Sequence, residues 1–153
     1  MSIRLSIDEA WEVLAGAHTG ILTTLRRDGS PITLPIWFVD LDRNICFYTP
    51  SRTKKVARIR HDPRASFLVE SGLRWAELCA VHLSGKIEAV EDQAAINRID
   101  KAMNEKYAAF RTGPTAMPEA TRDYYAGRSF FRLVPEPRIL TWDNSRISLG
   151  EGT

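Results

Sequence analysis

The stretch Gly20-Ile21-Leu22-Thr23-Thr24-Leu25-Arg26-Arg27-Asp28-Gly29-Ser30-Pro31-Ile32-Thr33-Leu34-Pro35-Ile36-Trp37-Phe38-Val39 decides the fold. Residues 20–25 and 32–39 are β-branched and apolar runs, and Arg27-Asp28-Gly29-Ser30 between them carries hairpin turn chemistry. A connector this short joins antiparallel neighbours, because parallel strands need a crossover of about a dozen residues or more. Pro35 falls in the middle of the second run. Proline has no N–H for a ladder, so this strand is expected at a sheet edge or bulged. Backbone groups freed beside Pro35 could serve a flat heteroaromatic ligand. Trp37 and Phe38 point to opposite faces, so at most one of them meets it. A plain edge strand with core aromatics is the competing reading.

Outward from the hairpin the same pattern repeats. Asp40-Leu41-Asp42-Arg43-Asn44 is another turn, and residues 45–49 form the next strand. Residues 65–70 read as a fourth strand, 78–90 as a bent fifth kinked at Gly85, and 129–134 and 138–142 as final strands split by Pro135-Glu136-Pro137. Ser6-Ile7-Asp8-Glu9 is a capping box that opens a short amphipathic helix over 7–16. The longest helix is expected over 92–110, with Ile96, Ile99, Met103, Tyr107 and Phe110 as its apolar stripe. Pro118 and Glu119 start a further helix ending near Gly127. Short hairpins with helices inserted at intervals suggest a mostly β, α+β protein: an antiparallel barrel of six to seven strands with flanking helices. With no repeat or linker, residues 1–153 read as one domain, 146–153 being a loose tail.

The strand at 45–49 runs into Pro50-Ser51-Arg52-Thr53-Lys54-Lys55, which opens a basic helix stopped by Asp62-Pro63. Helix-start N–H groups, hydroxyls and clustered Lys and Arg make a receptor for phosphate. A solvated basic face is the bland alternative. The placing of Lys54 and Lys55 favours the receptor. They stand in the first turn, where the helix dipole disfavours cations, so an anion there would relieve a local conflict.

Composition narrows the classes. A net charge of +2 is too mild to argue for a nucleic-acid partner. No apolar run approaches the roughly 20 residues of a membrane span, and the N-terminus lacks a signal pattern, so the chain reads as cytoplasmic. Cys46 and Cys79 sit in apolar runs without zinc spacing and read as structural thiols. His18, His61 and His82 share no motif, and no metal site is expected. No G-x-G-x-x-G occurs, so a Rossmann cofactor site has no support.

Taken in order, the segments 20–31, Pro35-Ile36-Trp37-Phe38, Phe47-Tyr48-Thr49, 55–64, Phe131-Arg132-Leu133-Val134-Pro135 and Trp142 add up to a known pattern. Over about residues 14–142 the chain resembles the flavin-binding split-barrel family of pyridoxamine 5′-phosphate oxidase and the related deazaflavin-dependent reductases. The resemblance implies a split β-barrel and a homodimer with cofactor at the subunit interface. It implies that Pro35, Ile36 and Trp37 line the ring system, that Tyr48 and Thr49 touch the ring and ribityl chain, and that Ser51, Arg52, Thr53, Lys54 and Lys55 hold the phosphate. Trp142, with Arg146, would reach the site from the other subunit. The chain departs from the oxidase in two places. Arg146-Ile147-Ser148-Leu149-Gly150 stands where that enzyme has Arg-Leu-His-Asp-Arg, and Cys79-Ala80-Val81-His82 replaces Arg-Gln-Val-Arg. Vitamin B6 oxidation is therefore not expected.

The expectation is a flavin-dependent oxidoreductase using flavin mononucleotide (FMN), with hydride passing through ring N5 and an unknown small molecule as substrate. The deazaflavin coenzyme F(420) is the alternative, since it too presents a tricyclic ring and a phosphate, and its polyglutamate tail would call on Arg58, Arg60 and Arg64. A non-catalytic flavin or haem carrier is the alternative of another class.

Overall fold

The computed structural model describes residues 2–149. The chain runs α1 (Ile7–Gly16), β1 (Gly20–Leu25), β2 (Pro31–Ile36), β3 (Val39–Leu41), β4 (Asn44–Pro50) and α2 (Lys54–His61). It continues with β5 (Arg64–Ser71), β6 (Cys79–Ala89), α3 (Gln93–Tyr107), α4 (Glu119–Ala126), β7 (Arg128–Pro135) and β8 (Leu140–Asp143).

All strand pairings are antiparallel, in the order β2-β1-β5-β6-β7-β4-β3, with β8 beside the first half of β6. The two ends of this order, β2 and β3, are consecutive in the chain and separated by Trp37 and Phe38 alone. Seven strands laid flat would place their outer members about 29 Å apart. The three Cα–Cα steps from Ile36 to Val39 reach about 11 Å. The sheet must therefore curl until its edges approach, which makes a barrel. Here the structure corrects the single second strand over 32–39: it is two strands on opposite edges, and the expected six to seven strands become eight. Pro35 does lie on an edge strand, where its missing N–H removes no ladder bond.

The Trp37–Phe38 crossing is held by Tyr107 of α3. Its hydroxyl accepts the Phe38 N–H at 2.9 Å and donates to the His18 carbonyl at 2.7 Å. Its ring stacks on Trp37 at 4.4 Å with planes 3° apart. Lys106 donates to the Phe38 carbonyl at 2.9 Å and lies 3.9 Å over the Phe38 ring. These contacts satisfy backbone groups that would otherwise be buried without partners.

The period-2 pattern of β4 feeds two cores. Ile45 and Phe47 point into the barrel with Leu14, Phe38, Phe67 and Leu83. Cys46 points out, beneath α3, with Ile99, Met103, Tyr107 and Phe130. Burial pushes the Cys46 thiol up to about 11, in keeping with a packing role. Gly85, expected as a kink, sits where β6 joins both β5 and β7. A Cβ there would stand 2.1 Å from the Val134 carbonyl oxygen, so only glycine permits the approach.

Two further expectations change. The α3 stripe ends at Tyr107, where the chain tightens into a 3₁₀ turn, and Phe110 is left 61% exposed. The segment from residue 146 is not loose at its start. Arg146 donates to the Arg4 carbonyl at 3.0 Å and to Glu9 at 2.8 Å, tying the end of the described chain to α1. Residues 150–153 lie outside the described range. No described helix is long and apolar enough to cross a membrane.

Candidate functional site

The edge strand β2, the end of β4 and the start of α2 converge on one cavity of about 400 Å³, within the usual range for small-molecule sites. The chain brings Pro35, Ile36, Trp37, Tyr48, Thr49, Thr53 and Lys55 to its wall. All seven were singled out by sequence. β2 has β1 on one side and no strand on the other, so the cavity wall at Pro35 includes free backbone edge. Thr49 is buried, while Tyr48 is half-buried and lies against Phe130, their centroids 5.2 Å apart.

Another part of the cavity wall is the start of α2. Thr53 is its N-cap residue by position and extended backbone, yet its side chain makes no cap bond. Thr53 Oγ1 is buried and has no hydrogen-bond partner. No acidic residue stands in the first turn. Lys55 is half-buried there, and burial pushes its ammonium below the ordinary lysine value, with nearby Arg58 adding to the effect. An unpaired hydroxyl, an uncapped helix start and a desolvated cation at one spot are what a bound phosphate would satisfy together. The residues present fit the phosphate of a flavin.

The other predicted residues sit further off. Ser51, Arg52 and Lys54 lie on the turn and helix start without lining the cavity. The Ser51 hydroxyl pairs with that of Ser129 at 2.8 Å, and its N–H donates to the Gly127 carbonyl at 2.9 Å, which fixes the turn against β7. Trp142 is on β8, opposite Ala80 of β6, and does not line this chain's cavity. Sequence reading missed Met103 from α3 and Tyr124 and Tyr125 from α4, all of which line it. The two tyrosines are the large aromatic side chains of a short helix of otherwise small or polar residues, and that was the available signal for them.

A second cavity of about 800 Å³ opens beside the first and shares Trp37, Tyr48, Pro50 and Tyr125 with it. Its outer wall is built by residues 108–128. His18, His61 and His82 remain apart. His18 packs edge-on against Trp37, Tyr107 and Phe110, His61 ends α2, and His82 lies in β6. Among the described residues no group of His, Cys, Asp or Glu is placed to hold a metal ion.

The structure is similar to several solved proteins. A conserved hypothetical protein of Mycobacterium tuberculosis is 28% identical, with a TM-score of 0.81 over 99% of this chain and 93% of its own. An FAD-binding protein of Mesorhizobium loti is 20% identical, with a TM-score of 0.69 over 90% and 94% of the two chains. A haem storage protein of Vibrio cholerae is 15% identical, with a TM-score of 0.68 over 93% and 96%. The last two likenesses establish the fold alone. No curated protein matches in sequence. The sequence profile of the pyridoxamine 5′-phosphate oxidase family matches residues 6–138, which covers the strands of both edges, the α2 start and β7. The chain therefore belongs to the pyridoxamine 5′-phosphate oxidase family.

Proposed function

We propose that this chain is a flavin-dependent oxidoreductase that binds FMN in the Pro35–Lys55 cavity, as a cytoplasmic homodimer. The observation that carries the reading is the buried, unpartnered Thr53 Oγ1 beside desolvated Lys55, in the wall of a cavity that a free strand edge also lines. A flavin bound there would supply hydride transfer at its N5 atom. The chain's own part is to orient and polarise. Lys55 and Thr53 would anchor the phosphate, Tyr48 and Thr49 would flank the ribityl chain, and the free backbone edge at Pro35 to Trp37 would face the ring. Tyr107 keeps that edge in place through its bonds to the Trp37–Phe38 crossing. Trp142 is assigned to the site of the other subunit.

FMN is favoured over the deazaflavin by the state of the extra arginines. Arg64 is paired with Asp62 at 2.8 Å, which leaves Arg58, bonded only to the neutral Thr24 hydroxyl at 3.3 Å, and Arg60 as the unpaired cations of the three for a polyglutamate tail. A carrier role for flavin or haem is the competing class, and the first experiment separates all three. The ultraviolet–visible spectrum of the purified protein is recorded before and after adding FMN, and again after heat release of any ligand. Release or tight uptake of FMN is the expected result. A colourless protein that rejects FMN overturns the reading, a deazaflavin spectrum replaces the cofactor, and a Soret band moves the chain to the haem carriers.

A further inference from the structure

The second cavity has a chemistry that the cofactor does not use. Its wall is apolar at Ala108, Phe110, Pro114 and Met117. Three arginines, Arg111, Arg122 and Arg128, also line it, and no aspartate or glutamate does. Arg128 is neutralised by Asp100 at 2.7 Å. The other two are not. Arg111 donates to the neutral Asn104 side chain at 2.7 Å and to the Tyr48 hydroxyl. Arg122 makes no side-chain hydrogen bond or ion pair among the described residues. An apolar pocket bearing two uncompensated guanidinium groups is complementary to an amphipathic anion, because guanidinium pairs with carboxylate in a two-pronged geometry.

The position of this cavity sets its occupant apart from the proposed phosphate anchors. The phosphate anchors Thr53 and Lys55 line the first cavity only, whereas Trp37, Tyr48, Pro50 and Tyr125 form a shared boundary. A molecule in the second cavity would therefore meet the first along Trp37, Tyr48, Pro50 and Tyr125, without lining contact to Thr53 or Lys55. Arg111 bonds directly to the Tyr48 hydroxyl, so a charge bound at Arg111 would be coupled to a residue of the first cavity. We propose that the second cavity binds a small aromatic or apolar carboxylate, held by Arg111 and Arg122 over the Phe110–Met117 floor. Calling that carboxylate the substrate rests on the flavin reading, but its binding does not.

Calorimetric titration of 2-naphthoate and of its neutral counterpart 2-naphthamide, with and without FMN present, tests this. The acid should bind at least about tenfold more tightly than the amide, and should do so alongside FMN without displacing it. The Arg122→Gln and Arg111→Gln variants should each weaken the acid by about tenfold while leaving the amide unchanged, and Arg122→Gln, which has no bond to Tyr48, should leave FMN unchanged as well. Equal binding of acid and amide, or no binding of the acid by wild type, overturns the inference. So does loss of FMN affinity in Arg122→Gln, which would give that arginine to the cofactor. Arginine-dependent naphthoate binding in a protein that refuses FMN would uphold the carboxylate site while removing the flavin reading.

Discussion

The helices α1 and α2 begin in opposite ways. Ser6 and Glu9 close a full capping box at the start of α1, with the Glu9 N–H on Ser6 Oγ at 3.2 Å and the Ser6 N–H on the Glu9 carboxylate at 2.7 Å. Asp8 and Glu9 put negative charge in its first turn, where the dipole favours it, and the Arg146 guanidinium holds the Glu9 carboxyl below the usual carboxylate range. The start of α2 has a capping residue that does not cap, no acid, and two lysines. An eight-residue helix has little stability of its own. What secures α2 is the burial of Val56 and Ile59, so its first turn is free to be locally unfavourable. One helix start is completed by its own residues, and the other is left open, as the proposed phosphate site requires.

The sharpest way to break that contrast is to give α2 the start that α1 has. Thr53→Asp supplies a capping carboxylate and sets its charge against the phosphate. FMN affinity should fall by about 3 kcal/mol, on the order of a hundredfold in Kd, while the unliganded protein gains about 1 kcal/mol. Fluorescence titration and thermal denaturation read the two effects, and unchanged FMN affinity would remove the phosphate assignment. Lys55→Ala follows, with a loss of about 2 kcal/mol in FMN binding, roughly thirtyfold. Because burial already opposes its charge, the unliganded variant should not lose stability through that charge. Ser6→Ala is the converse. It should lower stability by about 1 kcal/mol, or roughly 2–4 °C in Tm, with the FMN Kd unmoved. A change in FMN binding there would mean that the two helix starts are coupled.

This contrast was half visible in the sequence. A capping box is a local pattern, and both halves of Ser6–Glu9 can be read from spacing alone. So could the hairpin, the edge proline and the basic helix, because each depends on neighbours within a few residues. What could not be read was set by distant parts of the chain. The second strand breaks at Trp37 because α3, some seventy residues later, offers the Tyr107 hydroxyl to Phe38. Thr53 looks like an ordinary cap in sequence, and only burial reveals its unpaired oxygen. The helix α4 was expected, but the place of its tyrosines, and of Arg111 and Arg122, over β4 and the cavities is fixed by tertiary packing. The wall made from β2, β4 and the α2 start was legible; in the α3–β7 connection the helix was legible and its place against the cavities was not.

The finest distinction between the two starts is their response to pH. Lys55 has a folded-state pKa below its unfolded value, so the unfolded chain holds more protons between the two values. Stability of the unliganded protein should therefore rise as pH climbs through that interval, because the cost of burying the charged form disappears. Anion binding has the opposite sign. A bound phosphate favours the protonated lysine, and FMN phosphate is already fully ionised well above its second pKa of about 6. Affinity should thus decline as pH rises from neutral into the alkaline range, with the roughly thirtyfold effect of Lys55→Ala as its ceiling. Mildly alkaline pH should reach only a fraction of that ceiling. Other groups carry shifts of their own, among them Lys106, lowered by burial, and Tyr107, raised by it. Subtracting the profile of Lys55→Ala from that of wild type cancels them. A difference profile in which stability rises while FMN affinity falls isolates Lys55 as the charge that α2 keeps for its ligand, and a flat one assigns Lys55 to the solvated surface.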